Sequence, residues 1–234
     1  MAKYKIASIN VIMDVCYEPL KTQAEPYLYD SDEYYIDLRE LYNERIKHSK
    51  ILNHLSTGEI EYMLYGSLFY EELVKHHGFL LHSSCVVRDG LAYLFSAPSG
   101  TGKSTHTNLW VKNFPDAFIL NDDKPAILIN HHSVIASGTP FSGKTSLNHN
   151  STFPIKGICF LKRAKDNKIK KITKKEALYL ILNSTIRPND ASNMDLLFSS
   201  VDEVLNKVDC YELECNMNDD ACIVSYEGMK NGNC

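Results

Sequence analysis

The chain has 234 residues, 44% apolar and 23% charged, an ordinary balance for one large domain or a core with a smaller unit attached. Its net charge of -4 argues against a protein held on duplex nucleic acid by phosphate contacts. No apolar run approaches the ~18 residues of a membrane span, and the first six residues lack a signal peptide's apolar core. A cytoplasmic protein with no nucleic-acid and no membrane partner is expected.

In chain order, the first 55 residues are rich in tyrosine and mixed charge. Residues 3–13 alternate partly and predict a strand, and residues 27–41 hold one or two more. This stretch reads as a small, partly β appendage, residues 1–55, ahead of a core domain, residues 56–234. Apolar residues at 60, 63, 64, 68 and 73 predict a helix over 59–76, with Gly78 as its C-cap. Residues 79–87 and 91–96 read as strands about an Arg88-Asp89-Gly90 turn, the pattern of a hairpin. A helix over 103–113 and a short strand over 117–120 follow. Residues 124–130 and 133–137 predict a second hairpin around His131-His132, then 138–153 a polar functional loop. The remaining elements are a strand at 155–162, helices at 174–184 and 192–206, a strand at 209–214 and a last helix at 218–229. The lysine run 168–175 reads as a solvated hairpin edge. Seven cysteines, at 16, 85, 159, 210, 215, 222 and 234, form no Cys-x-x-Cys pair, which predicts reduced, buried thiols.

Between the second strand and its helix, residues 97–105 read Ala-Pro-Ser-Gly-Thr-Gly-Lys-Ser-Thr. Strand, glycine loop and helix in that order are the context of a phosphate-binding loop. Gly100 and Gly102 let the backbone turn tightly and aim N–H groups at anionic oxygens. The helix that begins there adds its positive end. Lys103 reaches the outer phosphates and the Ser104 hydroxyl ligates Mg²⁺. Ser99, Gly100, Thr101, Gly102, Lys103, Ser104 and Thr105 are therefore the candidate nucleotide site. Ala97 departs from the motif's first glycine.

One helix and one short strand later stand Asp122 and Asp123. Two carboxylates at a strand's end beside a triphosphate divide two tasks, holding Mg²⁺ and accepting a proton from the attacking hydroxyl. Which aspartate does which is open at this point.

Ser99-Gly-Thr-Gly-Lys-Ser104, the Asp122-Asp123 pair and the upstream histidine of Leu81-His82-Ser83-Ser84 together resemble the HPr kinase/phosphorylase and phosphoenolpyruvate carboxykinase superfamily. The order and spacing are most similar to its small members, over about residues 79–163. The resemblance implies an α/β fold, a P-loop-containing kinase-like core of that type. It implies that Lys103 holds the β- and γ-phosphates and that Ser104, Asp122 and Asp123 serve the metal. His82 would lie close to the transferred phosphoryl group. Small members carry a segment like Gly138-Thr-Pro-Phe-Ser-Gly-Lys144 near the acceptor, where Lys144 would neutralise charge; Gly143 and Asn148 are weaker candidates. An arginine in the later region would stabilise the transition state. Arg187 is the first choice and Arg163 the second, among only five arginines. A homo-oligomer also follows from the resemblance alone.

The sequence thus predicts a kinase using ATP, with GTP or pyrophosphate as alternatives, and Mg²⁺. It would transfer the γ-phosphoryl group to a hydroxyl, serine first, of a peptide, small protein or small molecule. Two other readings remain open, a nucleotide-binding regulator without turnover and a carboxykinase-like lyase. His106 and Trp110, at i and i+4 on the loop's helix, read as packing residues.

Overall fold

The structure, a computed structural model, describes residues 2–48, 54–130 and 133–232. The His131-His132 turn lies outside them.

The chain opens with β1 (Ala2–Ile6) and β2 (Ile9–Met13), an antiparallel pair joined at Ala7 and Ser8. Both joining residues have positive φ, 48° and 65°. The single strand expected over 3–13 is thus a hairpin, and its two-residue turn carries no Gly or Asn to announce it. After the short helix α1 (Leu20–Ala24) and a 3₁₀ turn, β3 (Ile36–Asp37) joins β2 in parallel. Helix α2 (Arg39–His48) follows.

Helix α3 (Thr57–Lys75) starts on a capping box: the Ser56 hydroxyl accepts from the Glu59 N–H, and the Glu59 carboxylate accepts from the Ser56 N–H at 2.8 Å. Its end differs from expectation. His77, not Gly78, takes the left-handed turn (φ 55°), and Gly78 is already the first residue of β4 (Gly78–Leu80). The expected strand over 79–87 is likewise two strands. β4 and β5 (Ser83–Arg88) break at Leu81-His82 and pair with different partners.

β6 (Leu91–Ser96), α4 (Lys103–Asn113), β7 (Phe118–Asn121), β8 (Ala126–Ile129) and β9 (Val134–Ser137) fall within a residue or two of their predicted bounds. The later elements are β10 (Thr152–Arg163), β11 (Lys168–Lys171), α5 (Lys174–Asn183), α6 (Ala191–Lys207), β12 (Asp209–Cys215) and α7 (Asp220–Asn231).

Nine strands make one mixed sheet in the order β4-β8-β9-β10-β6-β5-β7, with β12 also on β10 and β11 on β12. The fold is mixed α/β. β10 is long enough to change partners: Thr152–Pro154 pair with β9 antiparallel, and Gly157–Phe160 lie parallel between β6 and β12. Both faces are covered, so the central strands are apolar throughout. Ala92, Leu94, Ile158 and Phe160 face one core with α6, whereas Tyr93, Phe95, Cys159 and Leu161 face another with α4 and α7. A third core joins Ile6, Val11, Met13 and Leu20 to Phe69 of α3 and to Phe141. Among the described residues no helix is long and apolar enough to cross a membrane.

Cys85, Cys159, Cys210 and Cys222 are buried, and burial pushes the Cys210 thiol up to about 12. Cys16 is exposed, against expectation. His106 and Trp110 share a buried face as expected; both hydrogen-bond the Ser225 hydroxyl of α7, each at 3.0 Å. Burial lowers the His106 pKa from 6.5 to about 4. His106 is therefore neutral when folded, and below pH 6.5 the unfolded chain takes the proton first. Stability falls between pH 6.5 and 4 and this contribution is flat below. The shift corresponds to about 3 kcal/mol. Urea unfolding of wild type and His106→Gln across that range should show the difference between them closing by about this amount as pH falls.

Candidate active site

The site lies where the strand ends meet. β5 is antiparallel to both β6 and β7, so its first residues, the end of β6 and the end of β7 share one sheet edge. His82 lies just before β5 and Ser84 within it, the 97–102 loop leaves β6, and Asp122 and Asp123 leave β7.

The loop is built by its glycines. Gly100 and Gly102 have φ 77° and 123°, conformations that a side chain disfavours. Thr101 N–H donates to the Pro98 carbonyl at 3.2 Å, closing a turn. Helix α4 starts after Gly102 with no side-chain cap, which leaves its first amides available to a ligand. Lys103 is buried, and its Nζ donates to the Ala97 carbonyl at 3.1 Å. Burial lowers its pKa, while the charges of Asp123 and Asp122 oppose that shift. Arg163, at the end of β10, donates to the Thr101 carbonyl at 3.0 Å and to the Gly100 carbonyl. It holds the loop from outside.

The two aspartates have different surroundings. Asn121, fully buried, shapes their turn: its side-chain oxygen accepts from the N–H groups of Asp123 (3.0 Å) and Lys124 (2.7 Å). Asp122 accepts from the Ser84 hydroxyl at 2.6 Å, and that hydroxyl also meets Thr107 of α4 at 2.8 Å. Among the described residues no cation lies within salt-bridge distance of Asp122. Asp123 instead pairs with His82 Nε2 at 3.1 Å and with Lys124. Burial acts to raise its pKa, but the His82 hydrogen bond and the Lys124 charge outweigh it and hold the carboxyl below its usual range.

A cavity of about 670 Å³ brings most of the predicted residues together. His82, Ser99, Gly100, Gly102, Lys103, Ser104, Thr105, Asp122, Asp123 and Lys144 all line it. Thr101 lines two neighbouring cavities, of about 720 and 420 Å³, which meet the first at Gly100. Arg187 is exposed on the loop after α5 and lines none of the three. Gly143 (φ 72°) abuts the aspartate: a Cβ there would stand 3.0 Å from that of Asp123. Asn148 lies behind, bonded to the Ser142 hydroxyl.

Sequence reasoning missed Ser84, Thr107, Lys124, Tyr62 and Gln23. Strand alternation puts Ser84 on the face of His82, and one helical turn puts Thr107 behind Lys103, so these two had a readable signal. Tyr62 and Gln23 had none.

These features define a mixed α/β protein with a strand-loop-helix site and an acidic pair at one sheet edge. Residues 58–219, more than half of the chain, match the model of the SynChlorMet cassette protein ScmC, and the chain belongs to that family. Among solved structures it is similar to the Hpr(Ser) kinase/phosphatase from Coxiella burnetii, at 8% identity and a TM-score of 0.38, over 65% of this chain and 95% of that one. No curated protein matches it.

The buried Ser84 hydroxyl donates a hydrogen bond to Asp122. Ser84→Ala strands a buried carboxylate oxygen and should cost about 1–3 kcal/mol in denaturant unfolding. Ser133→Ala, away from this network, should change stability by no more than about 0.5 kcal/mol.

Proposed function

We propose that this chain is an ATP-dependent phosphotransferase acting on a hydroxyl acceptor. One observation carries the reading: a glycine loop with its lysine and hydroxyl, and two differently partnered aspartates, face the same cavity.

The loop amides and Lys103 hold the phosphate chain, which runs along the loop toward the aspartates. Its other end then leaves at Thr105, beside the 420 Å³ cavity lined by Leu109, Leu161 and Met217, which takes the nucleoside. Mg²⁺ fits the oxygen donors Ser104 and Asp122: Asp122 has an oxygen free of Ser84 and no ion-paired cation among the described residues. When bound, the ion neutralises charge on the phosphate oxygens. Asp123 is the proton acceptor, oriented by His82. It takes the acceptor hydroxyl's proton as that oxygen bonds to the γ-phosphorus and the bond from phosphorus to the ADP oxygen breaks. Lys144 and Lys124 line the same cavity, where they would offset the charge of the transferring group. A serine hydroxyl on a peptide or small protein is the favoured acceptor. Arg163 acts through the loop rather than on the phosphoryl group, since its guanidinium is committed to two carbonyls.

The test is transfer from γ-labelled ATP, with Mg²⁺, to a serine-peptide library. Wild type should label a hydroxyl acceptor. Asp123→Asn should lower the rate by about 10²–10⁴-fold with MgADP affinity retained. Lys103→Ala should weaken MgADP binding itself. Binding without any labelled acceptor, and no effect of Asp123→Asn, would overturn the kinase reading in favour of a nucleotide-binding regulator.

A further inference from the structure

Helix α1 is only five residues long and lies far from the glycine loop in sequence, yet one of its side chains reaches the site. Gln23 is 2% exposed. Its Nε2 donates to the Gly143 carbonyl at 2.9 Å and to the Ser146 hydroxyl at 3.1 Å. Its Oε1 accepts from the Ser142 N–H at 3.4 Å. A single buried amide therefore grips three groups on one turn. From the other side the Tyr62 hydroxyl accepts from the Gly143 N–H at 2.9 Å.

That turn needs holding. Gly143 and Ser146 both have positive φ, 72° and 55°, and Ser146 adopts it with a side chain present. Such conformations persist where the surroundings over-determine them. The turn also touches the chemistry. Gly143 sits close enough to Asp123 that a Cβ there would crowd it, and Gly143, Lys144 and Thr145 line the cavity. The Gly143 residue is thus held at its N–H by Tyr62 and at its carbonyl by Gln23, with Asp123 alongside.

We propose that Gln23 is a positioning residue: it holds the 142–146 turn against Asp123, so that the N-terminal unit sets the acceptor-facing wall of the cavity. The inference rests on the proposed function in taking that wall as the acceptor side. Gln23 lies outside the residues that match the family model, so the site depends on a part of the chain that the match does not cover. The phosphate side, built by the loop and α4, does not involve it.

The test compares wild type with Gln23→Met, which keeps the bulk and removes the amide, and with Tyr62→Phe, which frees the same peptide from its other side. Backbone amide hydrogen exchange over residues 142–147 is read first and needs no nucleotide. It should rise at least tenfold in Gln23→Met, with exchange in β6 and α4 unchanged. MgADP affinity by calorimetry should stay within twofold of wild type. In steady-state γ-phosphoryl transfer from MgATP to water, kcat should fall at least fivefold at unchanged KM for MgATP. Unchanged exchange over 142–147 in both variants overturns the proposal. So does a parallel rise of exchange through the whole sheet, which marks general loosening, or a loss confined to MgADP affinity. A wild type that binds no MgADP overturns the proposed function instead, while the exchange result still decides whether Gln23 holds the turn.

Discussion

The arrangement of the site rests on one pairing constraint. β5 is hydrogen-bonded antiparallel to β6 on one side and to β7 on the other. Antiparallel pairing sets the start of one strand beside the end of its neighbour. The start of β5 therefore lies between the ends of β6 and β7, which brings His82 and Ser84 between the glycine loop and the aspartate pair. Backbone bonds then lock the junction: Ser83 N–H donates to the Asp123 carbonyl at 3.0 Å, and His82 N–H to the Ser184 carbonyl at 2.7 Å. The Ser96 hydroxyl, at the end of β6, bonds the His82 carbonyl at 2.9 Å. Slipping β5 by one residue would turn His82 and Ser84 away from Asp123 and Asp122, because side chains alternate faces.

On the other side β10 runs parallel to β6, with Phe160 opposite Ser96. Leu161, Lys162 and Arg163 then continue alongside the loop that β6 has left. The reach of Arg163 to the loop carbonyls follows from this register. Because its guanidinium holds Gly100 and Thr101 by their carbonyl oxygens, rotation of those peptides is restrained. A flexible glycine segment thereby gains a defined shape without side chains of its own to pack.

Much of this was legible in the sequence because the signals are local. The strand-loop-helix unit announces itself through glycines and a lysine that few other structures need in that order. The central strands were readable because both faces are buried, which makes residues 91–95 and 158–161 uninterrupted apolar runs. The failures are also physical. The hairpin at Ala7-Ser8 turns without turn residues, and residues 79–87 look continuous because Leu81 and His82 do not mark the break. The mutual placement of β5 and β7 is non-local, so the separate partners of Asp122 and Asp123 could not be read from two adjacent identical letters. Neither could Gln23, whose partners are about 120 positions away.

The difference between the aspartates follows from what each gives up on burial. A carboxylate withdrawn from water loses solvation that hydrogen bonds or charge must replace. Asp123 is compensated by His82 and Lys124, so its carboxylate form is favoured and its geometry is fixed. Asp122 is 5% exposed and has a hydroxyl donor at 2.6 Å but no paired cation among the described residues. A buried carboxylate with that donor set is compensated by one neutral hydroxyl alone among the described side chains, which is the basis of the Mg²⁺ site proposed above. Ser84 and Thr107 are buried together beside it: the Thr107 hydroxyl meets that of Ser84, which in turn bonds Asp122. Adjacent in sequence and alike in chemistry, the two residues differ in their partners: a hydroxyl for Asp122, a histidine and a lysine for Asp123.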